Sequence, residues 1–222
     1  MLSDFHTHTC FSDGELVPIE LLRRAVAAGY TVIAITEHVG ASNLERAIEE
    51  AARDCALAES AWPIRALAGV ELTHVPAARI AELAAQARAA GAEVVAVHGE
   101  TPVEPVEPGT NLAAVTCDDV DLLVHPGLLT EEEARLAAQR DIFLEITSRA
   151  GHCLGNGRVV AVGRAAGARF LVNSDTHAPG DLLSRAHAER VALGAGLTPE
   201  EMSLVLDENP QWLLERALRR RG

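Results

Sequence analysis

Seven short apolar runs recur along the chain, at residues 2–5, 32–36, 66–70, 94–97, 122–124, 142–146 and 170–173. Most are continuous rather than alternating, as strands buried on both faces of a parallel sheet are. Helical periodicity fills most of the gaps. Pro18 opens a segment that puts Leu22, Ala25 and Val26 on one face, and Gly29 closes it. Pro76 opens another, carrying Ile80, Leu83, Ala84 and Ala87, which stops near Gly91. An Ala-Ala-Gly ending recurs before three strands, at Gly29, Gly91 and Gly167, where glycine supplies a left-handed helix stop. Thr130 with Glu133, and Thr198 with Glu201, have capping-box spacing, and Asn209-Pro210 reads as the N-cap and first residue of a final helix.

Strand alternating with helix predicts an α/β protein with a parallel sheet, one domain over residues 1–222. The pattern leaves open whether seven strands close into a barrel or stay as an open, doubly wound sheet. The Pro-rich stretch 101–109 reads as a loop rather than a domain linker.

Polar residues cluster where the strands end. Strand one runs into His6-Thr7-His8, strand two into Glu37-His38, strand three into Glu71, strand four into His98, strand five into His125 and strand seven into Asp175-Thr176-His177. Strand six lacks a terminal histidine or acid, although Thr147-Ser148-Arg149 follows it. Loops at the carboxyl ends of parallel strands converge on one face, so six of seven strand ends deliver a metal-competent side chain there. His-x-His sets two imidazoles on the same side of an extended segment, which suits capture of one cation. Histidine with carboxylate and no sulfur suits Zn²⁺, Mn²⁺ or Fe²⁺. Asp13, in the turn Ser12-Asp13-Gly14, can return to the same face.

Composition narrows the classes. The net charge of −13 and seven Phe, Tyr and Trp residues in 222 disfavour a nucleic-acid groove or a base-stacking platform. The four cysteines form no Cys-x-x-Cys pair, which argues against a zinc ribbon or disulfide framework. No apolar run is long enough to span a membrane, and the opening Met1-Leu2-Ser3-Asp4 does not resemble a signal peptide, so a cytoplasmic location is expected. The closing Arg219-Arg220-Arg221 reads as a solvated helix end that complements the macrodipole.

At Asp4-Phe5-His6-Thr7-His8, Ser12-Asp13-Gly14, Ile35-Thr36-Glu37-His38, Gly69-Val70-Glu71, His98, His125-Pro126 and Asn173-Ser174-Asp175-Thr176-His177, the sequence resembles the PHP (polymerase and histidinol phosphatase) family. Glu37 stands where that family more often has Asp. The resemblance implies a distorted seven-stranded (β/α) barrel, TIM-barrel-like, with two or three divalent metal ions. It implies a first metal on His6, His8, Glu71 and Asp175, a second on Glu71, His98 and His125, and a third on Asp13, His38 and His177. Such a centre would offset the acidic surface locally and suit a phosphate dianion. Two adjacent cations would lower the pKa of a shared water toward ~7, supplying hydroxide without a protein nucleophile.

Arg149 is placed to grip a phosphate oxygen, or to form a rim salt bridge. His152 is a proton donor, a substrate contact or a structural loop histidine. Glu104 and Glu107 either recognise a cationic substrate group or solvate their loop, and His74 lines the pocket rim or stands by. The expected activity is hydrolysis of a small phosphomonoester, histidinol phosphate being the first candidate. The alternatives are a phosphodiesterase or nucleotide phosphatase acting on small substrates, an accessory nuclease domain, and a noncatalytic metal-binding module. Oligomeric state is not legible.

Overall fold

The computed structural model describes residues 1–221. Seven parallel strands pair strictly in chain order: β1 (Ser3–Asp4), β2 (Val32–Val39), β3 (Arg65–Leu72), β4 (Val94–His98), β5 (Leu122–Val124), β6 (Phe143–Thr147) and β7 (Phe170–Asn173). A parallel bridge between Thr7 and Thr176 ties the first strand's extension to the last, so the sheet is a nearly closed (β/α)7 barrel rather than an open one. His8 N donates to Thr176 O at 2.8 Å, and Phe5 N to Asn173 Oδ1 at 2.9 Å, across that seam.

Helices fill the crossovers: α1 (Pro18–Ala28), α2 (Leu44–Ala61), α3 (Ile80–Ala89), α4 (Thr110–Val115), α5 (Glu131–Gln139), α6 (Asn156–Ala166) and α7 (Arg185–Gly194), with α8 (Asn209–Arg221) last. Gly29, Gly91 and Gly167 all have φ between 75° and 98° and end α1, α3 and α6 as their Ala-Ala-Gly context predicts. α5 has its full capping box, with Thr130 Oγ1 accepting from Glu133 N and Glu133 Oε2 accepting from Thr130 N. At Thr198 the return bond, Thr198 N to Glu201 Oε2, forms over a single 3-10 turn.

Two expectations at the C-terminus are corrected. Asn209 is not an N-cap: its backbone is already helical and follows a π-turn over Leu204–Glu208. Pro210 cannot donate to the carbonyl one turn back, and the wider π-turn accommodates its ring. The Asn209 side chain instead donates to Phe170 O at 3.0 Å, pinning α8 to the barrel. Two of the three terminal arginines, Arg220 and Arg221, are not simply solvated either. Arg220 and Arg216 reach the fully buried Asp121, where Arg88 also pairs, and Arg221 pairs with Glu93 and Glu59. Three guanidiniums outweigh the cost of burying one carboxylate at the amino-terminal end of β5.

Alternation along each strand decides what enters the barrel. Phe5, Ala34, Leu67, Ala96, Leu122, Phe143 and Leu171 form its lower interior, and Leu213, Leu214 and Ala217 of α8 plug it from below. Counting up by twos from those positions leads to His38, Glu71, His98, Glu145, Asn173 and Asp175. The upper interior is therefore polar.

Candidate metal centre

Glu71 stands at the centre of that upper layer, fully buried at the end of β3. Its Oε2 lies 2.7 Å from His38 Nδ1, 3.4 Å from His6 Nε2 and 3.5 Å from His8 Nε2, while Oε1 lies 3.6 Å from His125 Nε2. Asp175 Oδ1 is 3.2 Å from His8 Nε2, 3.5 Å from His6 Nε2 and 3.3 Å from His177 Nδ1. Asp13 Oδ1 approaches His177 Nε2 at 3.1 Å and His38 Nε2 at 3.4 Å, with His8 alongside.

The geometry therefore gathers His6, His8 and Asp175; His6, Glu71 and His125; and His8, Asp13, His38 and His177. His98 stands apart: its ring is beside that of His125, but its Nε2 faces Glu104 and His74. Arg149 lies at the mouth, 3.4 Å from Asp181, which also accepts from the His177 backbone. His152 is buried, with Nε2 3.3 Å from Glu104 Oε1 and its ring 4.4 Å from that of His125.

A test of fit comes from the hydrogen bonds. His6 Nε2, both ring nitrogens of His8, both oxygens of Glu71, His125 Nδ1 and Asp175 Oδ1 are buried without a hydrogen-bond partner. A buried polar atom left unsatisfied costs about 1–3 kcal/mol, so seven in one place fit a set of cation ligands. The surroundings fix these side chains. His6 Nδ1 contacts Glu145 Oε1 at 2.8 Å, the carboxylate-to-histidine arrangement that orients a ligand ring. Asn43 Nδ2 donates to His38 O, and the buried Glu37 accepts from Thr9 N and from the Thr9 and Ser12 hydroxyls. His125 and Asp175 both have positive φ, 30° and 55°, a conformation that costs non-glycine residues about 1 kcal/mol or more each.

The charges are strongly coupled. Burial disfavours charge on every member, yet Glu71 is held well below the usual carboxylate range by His38 and His6, and Asp175 likewise by His6 and His8. Burial also opposes protonation of His6 and His38, but Glu145, Asp175 and Glu71 raise His6 well above its ordinary value. Glu71 and Asp13 raise His38 to about 9. His8 is lowered to about 4 by burial and by His38, and His125 is pulled well down by burial and His98.

Two residues escape the sequence pattern. Glu145 lies inside strand six rather than at its end, and the signal is its parity with Phe143. Glu104 comes from loop 101–109, where no periodicity predicts direction. The mouth itself is a cavity of about 240 Å³ lined by Asp13, His38, His98, His125, Arg149 and His152 among others. A larger cavity, about 660 Å³, opens at the opposite end between α2, α3 and α8, remote from the histidines.

A PHP domain model matches residues 4–108. The chain is 48% identical over 217 residues to the uncharacterized protein MJ1295 of Methanocaldococcus jannaschii, covering 97% of this chain and 100% of that one. Among solved structures, a chain of archaeal ribonuclease P with mature tRNA superposes with a TM-score of 0.65 at 15% identity, over 97% of this chain and 89% of that one. A chain from the structures of YwqE of Bacillus subtilis and CpsB of Streptococcus pneumoniae, described as unique metal-dependent tyrosine phosphatases, gives 0.52 at 18% identity, over 98% and 93%. At these identities the structures share the fold alone. No helix among the described residues is long and apolar enough to cross a membrane.

Proposed function

The chain belongs to the PHP domain family, and from that premise we propose that it is a metal-dependent phosphoester hydrolase acting on a small phosphomonoester, of the size and kind of histidinol phosphate. The observation that carries this reading is the convergence of His6, His8 and His125 on Glu71, with Asp175 meeting the same three histidines and seven buried atoms there lacking a hydrogen-bond partner. His6, His8, Glu71 and Asp175 would hold one cation, Glu71, His98 and His125 a second, and Asp13, His38 and His177 a third. Cations bound there would supply Lewis acidity, activating a water and drawing charge from phosphoryl oxygens.

The protein's own side chains do the rest. The two oxygens of Glu71 face different histidines, so one carboxylate can serve two cations. Arg149, held only loosely by Asp181, can turn its guanidinium onto two phosphate oxygens. His152 has its Nδ1 buried and unpartnered beside His125, placed to hold a proton for the leaving oxygen. Glu145 keeps the His6 ring in orientation from behind.

The mouth, a cavity of about 240 Å³, has room for the phosphoryl group and adjoining atoms of a small monoester. The ribonuclease P chain shares the fold, but a net charge of −13 opposes a polyanionic RNA substrate here.

The test is phosphate release from a panel of histidinol phosphate, other monoesters, a nucleotide bisphosphate and an activated diester. Wild type should turn over a monoester, while H6A and D175A should lose at least ~10³-fold, the scale of removing a main electrostatic contributor. Turnover of the diester alone would overturn the monoester assignment. Undiminished activity in both variants would overturn the site.

A further inference from the structure

The second cation of the centre would take its ligands from the barrel wall, at Glu71, His98 and His125, and the rings of the two histidines stand 4.4 Å apart. The loop after β4 brings one more oxygen to this place. Glu104 Oε2 is 3.1 Å from His98 Nε2. Ligand atoms bound to one cation at ~2.0–2.2 Å stand ~2.9–3.5 Å apart, so this pair has the spacing of two ligands of a single ion. The tautomer of His98 agrees. Its Nδ1 lies 3.2 Å from Gly99 O and can only donate there, which leaves the lone pair on Nε2. That lone pair and the carboxylate oxygen are both acceptors, so a positive charge must stand between them. A cation shared by His98 with Glu71 and His125 would supply it.

Loop 101–109 is built to hold Glu104 there. Glu100 Oε1 accepts from Gly109 N and Asn111 N, closing the base of the loop on itself. Glu107 Oε2 accepts from Ala77 N at 2.9 Å, fastening the loop to the segment after β3 that carries His74. His74, from a left-handed backbone with φ of 50°, brings its Nε2 to 3.0 Å from the same Glu104 oxygen, and Glu104 Oε1 faces His152 at 3.3 Å. A ligand carboxylate is commonly oriented by such a hydrogen bond from behind. Glu104 is 36% exposed, whereas Glu71, His98 and His125 are buried, so of the four it is the one that an incoming phosphate can displace.

We propose that Glu104 is a fourth protein ligand of the second cation, carried over the pocket by loop 101–109, oriented by His74 and exchanged for a phosphate oxygen when substrate enters. The proposal rests on the metal-centre reading above. His98 stays with Glu71 and His125, and the loop adds to that set a carboxylate that covers the cation between turnovers.

The experiment reads ligation rather than turnover, with cobalt(II), whose visible absorption reports the number and type of its ligands. Wild type, E104Q and E104H are stripped with chelator and titrated with cobalt at fixed free concentrations. Bound cobalt is counted per chain, and circular dichroism checks folding. E104Q keeps the size of the side chain, yet should bind one cobalt at least ~10-fold more weakly than wild type and with an altered spectrum, the other cobalt being retained. E104H should recover the affinity. Its imidazole is as neutral as the amide of E104Q, so only ligation distinguishes the two. Saturating inorganic phosphate should make the wild-type and E104Q spectra converge. Equal affinity and spectrum in wild type and E104Q, an E104H no tighter than E104Q, or spectra that stay apart in phosphate would overturn the proposal and leave the centre around Glu71 standing. A wild type that binds no cobalt would overturn that centre and this ligand together.

Discussion

At the scale of single residues, the centre stores protons where a cation would sit. Glu71 and Asp175 remain charged in the interior because His6 and His38 carry the compensating protons, His38 up to about pH 9. A cation needs the imidazole lone pairs and therefore expels those protons. The sign follows: both imidazoles are raised, so their protons are present at neutral pH, and that on His38 is lost as pH rises through 9. Apparent cation affinity should rise with pH toward 9, and binding at pH 7 should release at least one proton per chain. Calorimetry in buffers of different ionisation enthalpy measures this. Heats independent of the buffer would contradict it.

Most of these residues were legible in the sequence because the pattern placed them at strand ends, where buried apolar runs stop and loops converge. Glu145 was not, since an acid inside the run of β6 is invisible to a search of strand ends; only the parity of Phe143 shows that it faces inward. Glu104 was named without a direction, because what aims it is a set of loop hydrogen bonds from Glu100 and Glu107.

At the scale of elements, β3 leaves no room for a side chain one inward position below the centre. Gly69 lies on β3 one inward position below Glu71, and a Cβ there would stand 2.7 Å from Val94 O and 3.0 Å from Thr36 Cγ2. A backbone carbonyl of a paired strand cannot give way cheaply. G69A should cost about 1–3 kcal/mol, and its midpoint should fall by about 2–4 °C for each kcal/mol. Thermal unfolding of the chelated protein checks it, and an unchanged midpoint would show that β3 and β4 have room the structure denies them. The strands, the glycine stops and the α5 cap were readable because each rests on local chemistry. The entry into α8 was misread for the complementary reason. Asn209-Pro210 has the composition of a helix start, but its Asn is engaged by Phe170 O, a contact across 39 residues that no local pattern reveals.

At the scale of the whole molecule, the barrel separates a chemical end from a structural one. Closure depended on the seam between Thr7 and Thr176, and seven apolar runs alone fit an open sheet equally well. At the far end Asp121, with no exposed surface, gathers Arg88, Arg216 and Arg220 from two helices. D121N leaves three guanidiniums without their common partner, and should destabilise by on the order of 3 kcal/mol, the scale for breaking a buried ion pair. The cation content should be unchanged, because the top of the barrel is untouched. Loss of cations together with stability would mean that the two ends are not independent.

The account stands most directly on the dependence of phosphoester hydrolysis on the cations themselves. Protein stripped by chelator is reloaded stepwise with manganese or zinc, and phosphate release from a small monoester is measured against cations bound per chain. Release should be absent in the stripped protein and rise in step with occupancy of the sites around Glu71. Turnover that persists in the stripped protein, or full loading that releases phosphate from no ester, would contradict it.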